Sequence, residues 1–270
     1  MKPPNPELMT QWQSWFAHCS WPSRITGAIR DAQEATAREV ARLEALRTRA
    51  ASCVFCIVHE APYRAGTGYL AAENVRRYNA TGDPFCYYVV PRTDARQTEG
   101  FRWHNDVPVI VCAPEGLQDL VTRYQPKVVE FHHTKGWAPD VLGVRVPGEK
   151  HLYLHDSMLW CWRVWSFDGR DVCNEPGPEK CRECAGVPAE RTVARDESLR
   201  RVLPEFQRII ANSDYTAHHA RLQLNVPVEV QLPNPPLRTR PFRGKKIGYF
   251  GRFDPIKGVH ILLEAATKMP

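Results

Sequence analysis

Two short runs bring proton-carrying side chains to the ends of apolar stretches. KVVEFHHTKG ends a β-like run with His132 and His133, and HLYLHDS ends another with His155 and Asp156. Imidazole and carboxylate groups exchange protons near neutrality and hydrogen-bond hydroxyls. A lone histidine at such a place is commonly a satisfied core residue, but three histidines and an aspartate at consecutive strand ends favour a site.

Two glycine-bearing stretches suggest anion recognition. In HEAPYRAGTGYL, Gly66 and Gly68 allow backbone amides to approach a ligand at the start of a helix whose dipole favours negative charge. An ordinary turn between strand and helix would look the same. In GRFDPIKG, Gly251 permits a close turn, Arg252 offers a planar fork and Lys257 a point charge, and Gly258 precedes the apolar helix VHILLEAATKM. Together these could hold a diphosphate; the plainer reading is a basic surface loop. A third cluster, Cys161, Cys173, Cys181 and Cys184, falls within a loop-rich insert, the last two as CxxC. Four thiolates can close a tetrahedral structural zinc site, with a redox-labile pair or buried free thiols as the alternatives.

The elements that must position these groups follow from periodicity. From Arg24 to Ala50 the residues Ile29, Ala32, Thr36, Val40, Leu43 and Leu46 recur at helical spacing, which predicts one long amphipathic helix that packs on the body or serves a partner or membrane surface. Short β-rich runs follow at 53–59, 86–91, 107–112, 127–132, 151–155, 208–211 and 228–232. Helix-like stretches such as GYLAAENVRRYNA, EGLQDLVTRY and DYTAHHARLQL lie between several of them. That alternation predicts an α/β fold with a doubly wound parallel sheet, whose ligands sit beyond the carboxyl ends of the strands. The proline-rich, basic stretch 232–246 reads as a linker, and KKIGYFGR begins a new strand.

The ordered motifs resemble those of GT-B glycosyltransferases of family 4. IGYFGRFDPIKGVHILLEAATKM is similar to the opening of that family's C-terminal domain, and HEAPYRAGTGYLAAENVRRY to its first glycine loop. VVEFHHTKG resembles its histidine-bearing strand, LHDSMLWC its "HD" segment, and RIIANSDYTAHHARLQLNVPVEVQLPN its last N-domain strand, turn, helix and linker. The resemblance implies a retaining transfer of a sugar from a nucleotide diphosphate sugar to a glycan, lipid-linked or small-molecule acceptor, in a cleft between two Rossmann-like domains and with no cofactor or metal required for transfer. Arg252, Lys257, Gly251 and Gly258 would hold the donor diphosphate. Gly66, Gly68, His133, His155 and Asp156 would line the acceptor side, and His132 would be the catalytic residue beside the transferred sugar. The implied organisation is an N-terminal extension (1–50), a GT-B N-terminal domain (51–231) with a cysteine-rich insert (156–188), the linker, and the first strand and helix of a donor domain (247–270). The family's spaced pair of donor-contacting glutamates has no counterpart here, and a second Rossmann-like domain needs on the order of 100 residues. The expectation is therefore a fragment or a short form, inactive alone.

Composition bounds the remaining readings. The 270 residues are 43% hydrophobic, with eight tryptophans, which is enough for a full core. The nine cysteines are an odd number in a long chain, and Cys53, Cys56, Cys86 and Cys112 lie in apolar runs, so reduced thiols and a cytoplasmic location are expected. A net charge of +6 suits anionic lipid, phosphorylated substrates or nucleic acid. Peripheral contact at the inner membrane surface is consistent with it. A zinc-stapled nucleic-acid module and a non-catalytic GT-B-like partner subunit remain the rival classes. Nucleic acid is not expected, because the basic residues form no continuous stripe.

Overall fold

A computed structural model describes residues 21–63, 66–163, 166, 173, 176–232 and 258–268. The chain packs as two units, Met1–Glu149 and Lys150–Pro270. The fold is α/β and Rossmann-like: mostly parallel strands flanked by helices.

Among the described residues the first unit starts with helix α1 (Trp21–Arg49), laced on its exposed side by the pairs Glu34–Arg38 and Glu39–Arg42. The glutamate precedes the cation in both, the orientation that suits the helix dipole. Leu43 anchors the helix and is only 3% exposed. There follow β1 (Cys53–Ile57), α2 (Gly66–Thr81), β2 (Phe85–Pro91), β3 (Gly100–His104), β4 (Val107–Cys112), α3 (Leu117–Tyr124) and β5 (Val128–Phe131). Their order across the sheet is β3-β4-β2-β1-β5. β1 pairs in parallel with β2 (Cys53 opposite Phe85, Ile57 opposite Val89) and with β5 (Cys56 opposite Glu130). β3 alone among these is antiparallel, with Arg102 opposite Val109 and His104 opposite Val107.

CVFCI, FCYYVVP and VPVIVC are buried on both faces, which is why they read as unbroken apolar runs. One face carries Val54, Cys56, Cys86, Tyr88, Val90, Val107 and Val109 under Ala71, Ala72 and Val75 of α2, whose small side chains admit the helix closely. The other face is closed by the aromatic cluster of Phe55, Tyr87 and Tyr124. Each large apolar side chain so buried contributes ~1.5–3 kcal/mol. The side chain of Asn79 donates to the Cys86 carbonyl and accepts from its amide, which fastens the last turn of α2 to the head of β2.

The second unit contains β6 (Glu149–Leu154), whose first residue belongs to the other unit, then α4 (Pro178–Ala185), α5 (Ala189–Val202), β7 (Arg208–Ala211), α6 (Asp214–Leu224), β8 (Glu229–Val230) and α7 (Val259–Thr267). β6, β7 and β8 are parallel neighbours. Ser213 caps α6 by accepting from the Thr216 amide at 3.2 Å. No helix among the described residues is long and apolar enough to cross a membrane.

Candidate functional site

In the first unit the carboxyl ends of β1 and β5 gather the chemistry-bearing groups. Residues 130 and 132 alternate onto the face covered by α2, while 131 and 133 take the other. Glu130 is 1% exposed, an unusual place for a carboxylate, and α2 supplies its partners. Asn74 Nδ2 donates to Glu130 Oε2 at 2.6 Å, and the Tyr78 hydroxyl donates to Oε1 at 2.9 Å. Asn74 and Tyr78 stand one helical turn apart, so both reach the same strand residue. Nε2 of buried His132 lies 3.4 Å from Glu130 Oε2. The carboxylate can thus orient the imidazole.

Cys56, Glu130 and His132 place potential ligand atoms within 4.8 Å of one another. Burial, and secondarily the charge of Glu130, push the Cys56 thiol well above its ordinary range. Both Glu130 oxygens already accept hydrogen bonds, from Asn74 and Tyr78. The set is a polar network that holds His132.

His133 turns to the other side and stacks on His59, ring centroids 4.0 Å apart. The Lys135 amide donates to His133 Nδ1 at 3.2 Å, which makes that nitrogen an acceptor. Glu60 follows His59. Its Oε1 accepts from the Gly68 amide at 3.2 Å, and its Oε2 lies 3.8 Å from His59 Nε2. The amide that the glycine pattern offers to a ligand is therefore engaged within the chain. Gly68 also has a packing role: a Cβ there would stand 2.9 Å from the Ala61 carbonyl oxygen, whereas one on Gly66 would meet nothing within 4 Å.

In the second unit, Asn212 Nδ2 donates to the His155 carbonyl at 3.2 Å, tying the end of β6 to the turn after β7. Asp156 Oδ1 accepts from the Met158 amide at 2.9 Å, shaping the turn that leads to Cys161. Cys161, Cys173, Cys181 and Cys184 line one void of about 10 Å³ together with Trp162 and Arg163. Cys181 and Cys184, three apart on α4, share a helix face. The first three cysteines are buried, and all four are free thiols. Burial raises the Cys181 thiol, with the neighbouring Cys161 and Cys184 adding to the shift. Trp162 is pinned by its indole bond to Thr192 at 3.0 Å and by the Arg195 guanidinium 4.4 Å from its ring.

Gly258 has a left-handed φ of 68° and is the N-cap residue of α7. Gly251, Arg252 and Lys257 lie outside the described residues. Glu130 and its partners on α2 were not anticipated from the sequence, although a glutamate inside an otherwise apolar strand run was the available signal.

A solved sucrose-phosphate synthase from Thermosynechococcus elongatus resembles the chain with a TM-score of 0.42 and 11% identity, over 67% of this chain and 47% of that one. The chain thus spans about half the length of that neighbour. No family model matches the sequence. No curated protein matches it.

Proposed function

We propose that the chain is the acceptor-side domain of a GT-B-type glycosyltransferase joined to the beginning of its donor domain, and that it serves retaining transfer from a nucleotide diphosphate sugar. The observation that carries this reading is the buried Glu130–His132 pair at the carboxyl end of parallel strand β5, where α/β sheets receive ligands. Placed beside the transferred sugar, His132 would hydrogen-bond its hydroxyls while Glu130 keeps the ring in one orientation. Arg252 and Lys257 would hold the diphosphate and offset the charge that builds on it as the glycosidic bond breaks. Gly258 would start the helix whose free amides face the same group.

The test is binding of UDP, GDP and ADP to the full chain by calorimetry, with Arg252→Ala and Lys257→Ala as variants. At least one nucleotide should bind, and each variant should weaken it about tenfold, the loss of roughly one charge-assisted contact. Equal binding by wild type and both variants, or no binding of any nucleotide, overturns the assignment.

For the insert we propose a structural zinc ion held by Cys161, Cys173, Cys181 and Cys184. Four cysteines lining one small void supply the donor set of a closed site; among the described residues no three of their sulfurs stand within 4.8 Å of one another, so they would draw together around the ion. The ion would cross-link the insert between Cys161 and Cys184, with no part in the transfer.

A further inference from the structure

A groove of about 420 Å³ opens in the first unit beside the loop that follows β1. Val90 and Val109 form its floor, and both are buried. Cross-strand partners share a sheet face, so pairing of Arg102 with Val109 and of His104 with Val107 puts Arg102 and His104 on the face where α2 packs. Lys135, from the loop after β5, completes the rim.

The rim is net positive among the described residues, with Arg102 and Lys135 against the one carboxylate of Glu60. Among the described residues the side chains of Arg102, His104 and Lys135 have no hydrogen-bond or ion-pair partner, whereas nearby Arg76 is paired with Asp106 and Arg92 with Glu99. The carboxylate that lines the groove, Glu60, is engaged by the Gly68 amide and faces His59. Two fixed cations and an imidazole over an apolar floor suit a molecule with an anionic head and a flat or apolar body.

We propose that this groove binds the acceptor through a phosphate monoester or diester, with the body of the acceptor lying over Val90 and Val109. Naming the ligand an acceptor rests on the transferase reading; phosphate binding by the groove does not. The phosphate could belong to a soluble sugar phosphate or to a lipid headgroup, and the assay separates the two.

The full chain is titrated with glucose 6-phosphate and with glucose, and is floated with vesicles of phosphatidylglycerol and of phosphatidylcholine. Arg102→Gln and Lys135→Gln are compared with Arg38→Gln, an exposed charge on α1 that serves as the control. Saturable binding of glucose 6-phosphate but not glucose, weakened about fivefold or more by each rim variant and unchanged by the control, supports a soluble phosphate ligand. The same pattern with phosphatidylglycerol vesicles alone supports a lipid-borne one. Binding of neither probe, or equal loss in the control, overturns the proposal. A chain that binds phosphate through Arg102 and Lys135 but no nucleoside diphosphate retains the groove and loses the transferase reading; the reverse result removes only the groove.

Discussion

Glu130 and His132 stand two residues apart on the α2-facing side of β5, with Nε2 of the histidine 3.4 Å from Oε2 of the glutamate. Asn74 and Tyr78 hold the glutamate from above. The imidazole is therefore placed indirectly, through the glutamate that α2 holds, and α2 is the element whose disturbance should be felt at the site.

Tyr78→Phe keeps the ring and removes the hydroxyl that donates to Glu130. Leaving a buried carboxylate oxygen short of a donor costs ~1–3 kcal/mol, which urea denaturation should register as a lowered midpoint with an unchanged slope. Glu130→Gln should retain the fold and, on the proposed function, weaken acceptor binding through misorientation of His132. An unaltered pH profile in Glu130→Gln would remove the positioning role.

The two glycines at the start of α2 should behave differently. Gly68→Ala drives a Cβ to 2.9 Å from a backbone oxygen, so the loop after β1 must move, at a cost of ~1–3 kcal/mol and with loss of the Glu60 contact. Gly66→Ala meets open space and should change stability by about 0.5 kcal/mol or less. Thermal melts of the two variants side by side check the contrast.

Alkaline conditions should destabilise the first unit through its core thiols. Burial raises Cys53 from 9.0 to about 11. Burial, then the charges of Glu99 and Glu115, raise Cys112 to about 12. The unfolded chain therefore loses these protons first. Their contribution to stability is fully present below about pH 9 and is lost as the pH rises through the folded values. For Cys53 the loss amounts to ~2–3 kcal/mol. Urea midpoints should fall from pH 9 towards pH 11, and less so in Cys53→Ala relative to its own value at pH 8.

Protein purified without chelator should carry about one zinc per chain by elemental analysis, as a closed four-cysteine site requires. Cys181→Ser and Cys184→Ser should each lose it, while Cys56→Ser keeps it. Metal-free protein whose melting is indifferent to added zinc and to chelator would remove the ion from the account.

Much of the fold was legible because burial on both faces leaves unbroken apolar runs. VPVIVC spans the strand expected for it, and DYTAHHARLQL is a helix over the expected residues. β3 was not legible: GFRWH lies almost wholly exposed on an edge, and an edge strand needs no apolar alternation. Helices α4 and α5 were missed for a related reason, since PEKCRECA and AERTVARDESLRRV bury little and show no clear apolar stripe. At the site, the strand-end histidines were visible as residue types. What surrounds them was not: Asn74 and Tyr78 reach Glu130 across more than 50 residues of sequence (separations of 56 and 52), and the partner of the Gly68 amide is a side chain that composition cannot assign.

β3 hangs on the sheet by one neighbour, β4. Apart from Phe101, which packs on Tyr87, its exposed side chains can be exchanged without repacking the interior, so a hairpin of this kind is a replaceable cassette. Transplanting a different sequence onto 100–104 would change the charge along the groove's rim while the carboxyl ends of β1 and β5 stay where they are.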